Sequence, residues 1–389
     1  MSAAQIAALT VTGVTSGSSV TATGSATTGA AQTIGTGSLV VSTSPSSPSY
    51  ILAAAGSTGN IGAVLRFRAT NEAVNLSRIG LKLTNTASSS ASDLVQVSIW
   101  DGATQVGTAT FTGSNTAATS TLTSTVALPK DADKDLTVKV DLANIGAGYT
   151  GTQGALIAVD NNASTDTTGT QGTGASSGTT INATGSTAVS GIRLFKSVPT
   201  FALDTLTSTG VADGKLMRFK VTANSAGGIG INQFKFAIAT TSASVTNINL
   251  FGYTDAAYSA GISGFSSGQI STANVSPTAT AFTITPSAVI NIPAGTTYYF
   301  EARGTVTASA TTYSVTTTLN GDSAYTPLIG TYSAGGVGLM ATSTWAATSN
   351  NLVWSPNATT TSAAAHQDWT SGYGVAGLPS SGLITTRSN

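Results

Sequence analysis

Asp131-Ala132-Asp133-Lys134-Asp135 sets three carboxylates at alternate positions. Hard Ca²⁺ takes several oxygens from one short turn, so this run could open a calcium loop. The pattern then departs from such a loop: no Gly stands at the sixth position, no Glu closes it, and Lys130 and Lys134 bring positive charge. A solvated hairpin turn is the competing reading. Asp131, Asp133 and Asp135 therefore stand as the candidate metal ligands, with calcium the candidate cofactor. Asp160-Asn161-Asn162 with Asp166 is a smaller oxygen cluster of the same kind.

His366 is the only histidine, and Asp368 follows two residues on. A Ser-His-Asp hydrolase needs a serine held against that imidazole, and no Gly-x-Ser-x-Gly elbow is present at a strand-to-helix turn. Paired acid and base carboxylates are not suggested either, since Glu72 and Glu301 are the only glutamates and the aspartates gather in turns. No phosphate loop or zinc motif occurs, and with no cysteine there is no disulfide framework, thiolate metal site or thiol catalysis. The expectation is a protein that is not an enzyme.

The aromatic residues near the C-terminus carry a different chemistry. Trp345, Trp354, Trp369 and Tyr373 fall close together in a chain with four Trp. Aromatic faces can stack on sugars or anchor a subunit contact. Trp354 occupies an apolar run and reads as core. Trp369 and Tyr373 lie in a Gly-rich stretch beyond it and are the candidate assembly or ligand contacts.

These residues hang on a duplicated scaffold. Arg66-Phe67-Arg68-Ala69 returns as Arg218-Phe219-Lys220-Val221, an offset of 218 − 66 = 152. Leu76, Ile79, Leu81 and Leu83 match Ile231, Phe234, Phe236 and Ile238; Leu94, Val97 and Ile99-Trp100 match Val245, Ile248 and Leu250-Phe251. Val126-Ala-Leu128-Pro129 matches Ile290-Asn-Ile292-Pro293, followed by Leu136, Val138, Val140 against Tyr298, Phe300, Ala302. Leu39-Val40-Val41, Ile192-Arg193-Leu194-Phe195 and Leu352-Val353-Trp354, each before a proline, read as one strand occurring three times. A duplication of this length favours a scaffold over a single reaction centre.

The periodicity is that of strands. Leu136, Val138, Val140 and Leu142 alternate with Thr137, Lys139 and Asp141, and Leu65-Phe67-Ala69 and Val95-Val97-Ile99 repeat the pattern. The fold class is all-β, with tandem immunoglobulin-like β-sandwich domains joined by long Ser/Thr/Gly-rich loops. The boundaries expected are 1–47 for strands resembling the end of a preceding repeat, 48–198 and 199–355 for the two sandwiches, and 356–389 for an extended tail. Residues 161–189 read as a long loop or hairpin. Orphan strands within 4–43 would complete a neighbouring subunit or follow domains outside this chain.

Composition narrows the class. Charged residues are 8% of the chain and the formal net charge is zero, against about 25% charged in an average protein. Such a neutral, hydroxyl-rich surface has little self-repulsion and suits an assembled layer or fibre. No basic patch implies nucleic acid, and no apolar run reaches the length of a membrane span. Asn-x-Ser/Thr sequons stand at Asn75, Asn162, Asn182, Asn274 and Asn357.

The Arg-Phe-Arg/Lys strand, the Leu-x-x-Ile-x-Leu strand after it, Val97-Ser-Ile-Trp-Asp-Gly-Ala-Thr-Gln-Val-Gly107, and the segments Trp354-Ser-Pro-Asn-Ala-Thr and Asp368-Trp-Thr-Ser-Gly-Tyr resemble repetitive β-sandwich exported surface proteins of small-genome, uncultured bacteria. The resemblance implies an extracellular, cell-surface location and a surface-layer (S-layer-like) role; it implies no catalytic residue. The expected function is a self-assembling surface layer whose partner is the chain itself. A pilus-like or sheath-like filament built by strand donation is one alternative, and an adhesin binding cell-wall or surface glycans is the other.

Overall fold

The computed structural model describes residues 10–21, 37–86, 88–206, 210–276, 280–325, 350–358 and 369–389. Among them there is no α-helix; strands alternate with turns, and two single 3-10 turns, Ala91–Asp93 and Ser266–Gly268, interrupt the loops. The fold is all-β. Two separate apolar cores match the two repeats. One runs from Leu39 to Leu194 and is mostly aliphatic; the other runs from Phe195 to Leu378 and holds Phe201, Phe219, Phe234, Phe236, Phe282 and Phe300.

Each repeat hangs on the strand that carries the duplicated arginine. Asn60–Thr70 pairs antiparallel with Asp133–Leu142 on one side and Ser38–Thr43 on the other. Lys215–Ala223 pairs likewise with Thr297–Ala308 and Pro199–Asp204. Period-2 alternation turns Leu65, Phe67 and Ala69 inward, and Met217, Phe219 and Val221 take the same places. The facing sheet of repeat 1 is built on Val74–Arg78 and Gly80–Leu83, which the single strand Ile229–Thr241 replaces in repeat 2. Val126–Leu128 and Ile290–Ile292 pair with these at matched positions, Val126 opposite Leu76 and Ile290 opposite Ile231.

Pairing partners redraw the boundaries at both ends. Ser38–Thr43 is an internal strand of the first sandwich, with Leu39 and Val41 fully buried, so it is neither orphaned nor part of an earlier repeat. Its counterpart is Pro199–Asp204: Leu39 lies opposite Ala69 as Phe201 lies opposite Val221. The three pre-proline runs are consequently not one strand repeated. Leu352–Ser355 pairs with Ile229–Thr241, whereas Ile192–Phe195 pairs with Leu156–Ile157 and, in parallel, with Ile51–Ala54. A short apolar run before proline fits any half-buried edge, and only the partner strand tells the three apart.

The stretch beyond 356 is likewise not a free tail. Thr370–Ser371 pairs with Leu352–Ser355, and Leu383–Ser388 pairs along its whole length with Ser314–Leu319. Thr200 and Ala376 form a parallel bridge, and the Phe201 N–H donates to the Ala376 carbonyl at 2.8 Å. In repeat 1 the parallel pairing of Ala183 with Leu39 does the same work. Gly377 permits this approach: its φ is +77°, and a Cβ there would stand 1.8 Å from the Phe201 carbonyl oxygen. Described residues 369–389 thus close the second sandwich as 180–195 close the first. Within residues 161–189, expected as a long loop or hairpin, Gln171–Gly174 and Thr180–Thr184 pair antiparallel as a hairpin.

At the other end Thr10–Thr12 and Ser19–Thr21 pair with one another as a two-stranded sheet of their own. No described helix is long and apolar enough to cross a membrane.

Candidate functional site

The candidate calcium carboxylates are taken by arginines. Asp135 lies opposite Arg66 in the register, accepts from its Nε at 2.8 Å and its Nη2 at 3.0 Å, and accepts the Ser44 hydroxyl at 2.6 Å. Asp133 accepts from Arg68 at 2.9 Å and stands 3.6 Å from Arg66. Asp131 sits apart in the turn with φ 56°, near Lys130. Alternate strand positions share one face, but the arginines of the neighbouring strand share it too. Among the described residues no three acidic or histidine side chains converge on a common point. Asp133 and Asp135 thus form a cross-strand ion-pair ladder with Arg66 and Arg68. The hydrogen bond from Arg66 holds the Asp135 carboxyl below its ordinary range.

Repeat 2 carries the same device in a buried form. Glu301 lies opposite Arg218, is fully buried, and accepts from Arg218 Nε at 2.5 Å and from Arg303 Nε. The Arg218 guanidinium lies 3.8 Å over the Tyr258 ring, and the Tyr258 hydroxyl donates to Asp204 at 2.8 Å. Burial, then that hydrogen bond to Asp204, pushes the Tyr258 hydroxyl far up, so it stays protonated. The apolar match of the two repeats does not bring Glu301 into register with Asp135. Aligned on the repeated arginine, the two partner strands are offset by 301 − 135 = 166, not by the 298 − 136 = 162 of the apolar match. The rarity of glutamate and the recurrence of the arginine were the available signals.

The second constellation sits where the repeats meet. Phe195, the last residue of its strand, is buried in the second core, its ring edge-on to Trp354 at 5.2 Å. Leu52 also packs against that core. Arg193 donates to the Tyr50 hydroxyl at 2.7 Å and to the Gly154 carbonyl at 2.7 Å, while its guanidinium lies 3.6 Å over the Tyr325 ring. Tyr50 in turn packs against Tyr373, with ring centroids 4.6 Å apart. Burial is the main cause that pushes the Tyr50 hydroxyl well above its usual range, with the nearby guanidinium opposing. Gly374 leaves room for this ring; a Cβ would lie 2.6 Å from it.

Beside Tyr50 and Tyr373 opens a cleft of about 230 Å³, bordered also by Ser49, Asp322, Leu378 and Ser380. Asp322 is buried and accepts three backbone N–H groups, from Asn351 at 2.6 Å, Leu352 at 3.1 Å and Gly372 at 2.8 Å. Burial raises its carboxyl above the ordinary range although these bonds oppose the rise. The carboxylate clasps three strand ends together more than it faces the cleft.

Tyr373 thus contacts the other repeat of its own chain and borders a cleft. Trp369 is 1% exposed, with its ring 3.4 Å from where a Cβ on Gly230 would stand. Trp354 is core as expected and donates its Nε1–H to the Ser371 carbonyl at 2.8 Å. Trp345, His366 and Asp368 lie outside the described residues. Tyr50 and Tyr325 stand singly in segments without other signal, and Arg193 lies in a run that was read for its apolar residues alone.

Among known proteins, no family profile and no curated protein matches the chain. Among solved structures it is similar to a serine-rich repeat protein (Srr2) of Streptococcus agalactiae at 13% identity, over 72% of this chain and 87% of that one, TM-score 0.18. It is also similar to an Escherichia coli alpha-2-macroglobulin activated by porcine elastase, at 13% identity over 73% and 20%, TM-score 0.19. A chain titled BspA_C_mut matches at 7% identity over 73% and 94%, TM-score 0.15. Likenesses at this level leave the functional reading to the chain's own residues.

Proposed function

We propose that the chain is an extracellular structural protein that self-assembles into a cell-surface layer. The observation that carries this reading is the joint between the repeats. Domains linked in one chain move freely unless a substantial apolar contact couples them. Here Phe195 and Leu52 of the first sandwich pack into the second core, and Arg193 is held between Tyr50 and Tyr325. A stiff two-sandwich unit is what a lattice requires, and a neutral surface with 8% charged residues lets copies approach without repulsion. On this reading the protein performs no catalysis; a hydrolytic activity lost in His366→Ala would reverse that.

The cleft at Tyr50 and Tyr373 favours a second reading, an adhesin that places a surface glycan against an aromatic face. A pilus-like or sheath-like filament is the other structural form. Negative-stain electron microscopy of the purified chain over a range of concentrations distinguishes them. Sheets are expected; fibres would favour the filament. Dispersed two-lobed monomers at every concentration would overturn self-assembly and leave the glycan reading, which titration of Tyr373→Ala against cell-wall glycans then tests.

A further inference from the structure

The two sandwiches close differently at their last strand. In repeat 1, Ile192–Phe195 lies inside a three-stranded sheet, between Leu156–Ile157 and a parallel capping strand, Ile51–Ala54. In repeat 2, Leu383–Ser388 occupies the same place: Val315 pairs with Arg387 as Ile157 pairs with Ile192. Yet it ends its sheet, with no strand on its outer side among the described residues. The cap of repeat 1 comes from residues 44–59, the connection between its first strand and the arginine strand. The corresponding connection in repeat 2, residues 205–214, is shorter and supplies no strand among its described residues. Its described residues meet the far end of the edge, where Gly210 lies against Asn389 and Asp213 accepts from Arg387.

An open edge of this kind is a template for a further strand, and natural sheets guard against it with charge, proline or a bulge. Leu-Ile-Thr-Thr-Arg-Ser has no proline and its pairing has no register break; its one charge, Arg387, is buried against Asp213. Ile384 is left 51% exposed beside the edge. At the opposite end of the chain, the hairpin Thr10–Thr12 and Ser19–Thr21 has the complementary deficit. Among the described residues it makes a sheet with itself alone, Val14 at its turn is fully exposed, and an isolated two-stranded hairpin is marginal in water.

We propose that the Leu383–Ser388 edge receives the hairpin of a second copy of this chain, which takes the position that Ile51–Ala54 fills in repeat 1. The contact joins unlike surfaces, so each copy that donates a hairpin keeps its own edge free, and assembly runs head to tail without closing. This inference rests on the self-assembly reading and names the contact that strings copies into rows; a sheet needs a second, lateral contact between rows.

The absence of cysteine from the chain makes a clean test. Thr12→Cys and Ile384→Cys, both at exposed positions outside the cores, are prepared separately, mixed and oxidised. A shift from monomer to disulfide-linked dimer is expected in the mixture, not in either variant alone, and Ile384→Lys should abolish particles seen by electron microscopy. Equal cross-linking in each variant alone would overturn the head-to-tail contact. No cross-link in the mixture, with particles of wild type and Ile384→Lys intact, would overturn this edge while leaving self-assembly standing. Absence of both cross-link and particles would overturn both.

Discussion

The repeated arginine strand carries its ion pair at the surface in the first sandwich and in the interior in the second. Arg66 and Asp135 keep about a third of their side chains exposed, at 33% and 32%; Arg218 and Glu301 keep 12% and 0%. The surrounding cores differ in step. Repeat 1 packs mainly aliphatic side chains, whereas repeat 2 stacks Phe219 on Phe201 and Phe300 at 6.2 and 5.1 Å. One cross-strand pair, set in two environments, should be worth different amounts. Water screens the first, while the second combines charge, three-way hydrogen bonding and a tyrosine lid in a place where an unpaired charge is costly.

The largest effect expected is from Glu301→Gln, which leaves Arg218 and Arg303 without a carboxylate and should destabilise repeat 2 by about 3–5 kcal/mol. Asp135→Asn is the matching change in repeat 1 and should cost about 1 kcal/mol or less. Hydrogen exchange read peptide by peptide measures both; equal losses in the two repeats would erase the distinction between them.

Trp369→Ala belongs in the same upper range, about 3–5 kcal/mol, since it empties a buried site in repeat 2. Wild-type thermal stability with altered assembly would instead return Trp369 to a contact surface. Arg193→Ala is expected to be milder. It removes a hydrogen bond to Tyr50 and a cation over Tyr325, for about 1–3 kcal/mol in all, and should loosen the joint while each sandwich keeps its protection. Small-angle scattering would register the added interdomain motion; an unchanged profile would remove Arg193 from the joint.

Acid gives the smallest and most graded contrast. Asp135, Glu72 and Asp166 of repeat 1 all sit below their ordinary ranges, held down by Arg66, by the Ser177 N–H and hydroxyl, and by Thr168 respectively. A carboxyl lowered on folding stabilises the fold above its unfolded value and loses that contribution as pH falls through its folded value. In repeat 2 Asp255 is lowered, chiefly by the Ser259 hydroxyl, but Asp322 is raised by burial and gains on protonation. Acidification below about pH 4 should therefore weaken the contacts of Asp135, Glu72 and Asp166 in repeat 1 while the Asp322 contribution in repeat 2 holds. Loss of exchange protection around Asp322 ahead of those three would contradict the assignment.

Much of this fold was legible in the chain. Leu136, Val138 and Val140 alternate as a half-buried strand must, and the Arg-Phe-Arg strand marks the centre of each sandwich. The strands at the ends of each sandwich were not legible. Leu39–Val41 and Leu352–Trp354 have the same apolar, pre-proline character and lie in different sheets. Asp133 and Asp135 looked like cation ligands because the sequence shows their spacing and hides the arginines across the strand.

Local pattern by itself determined what period and composition can encode: an all-β chain, two repeats, a neutral hydroxyl-rich surface and no thiol chemistry. Tertiary structure decided which strand lies beside which. It gave the acids of repeat 1 to Arg66 and Arg68, buried Glu301 and Trp369, and set Tyr50 on Tyr373. Among the described residues it also left Leu383–Ser388 at an edge. Strand pairing joins residues far apart in the chain through backbone groups that every residue carries, so side-chain sequence specifies which face is buried far more strongly than it specifies the neighbour.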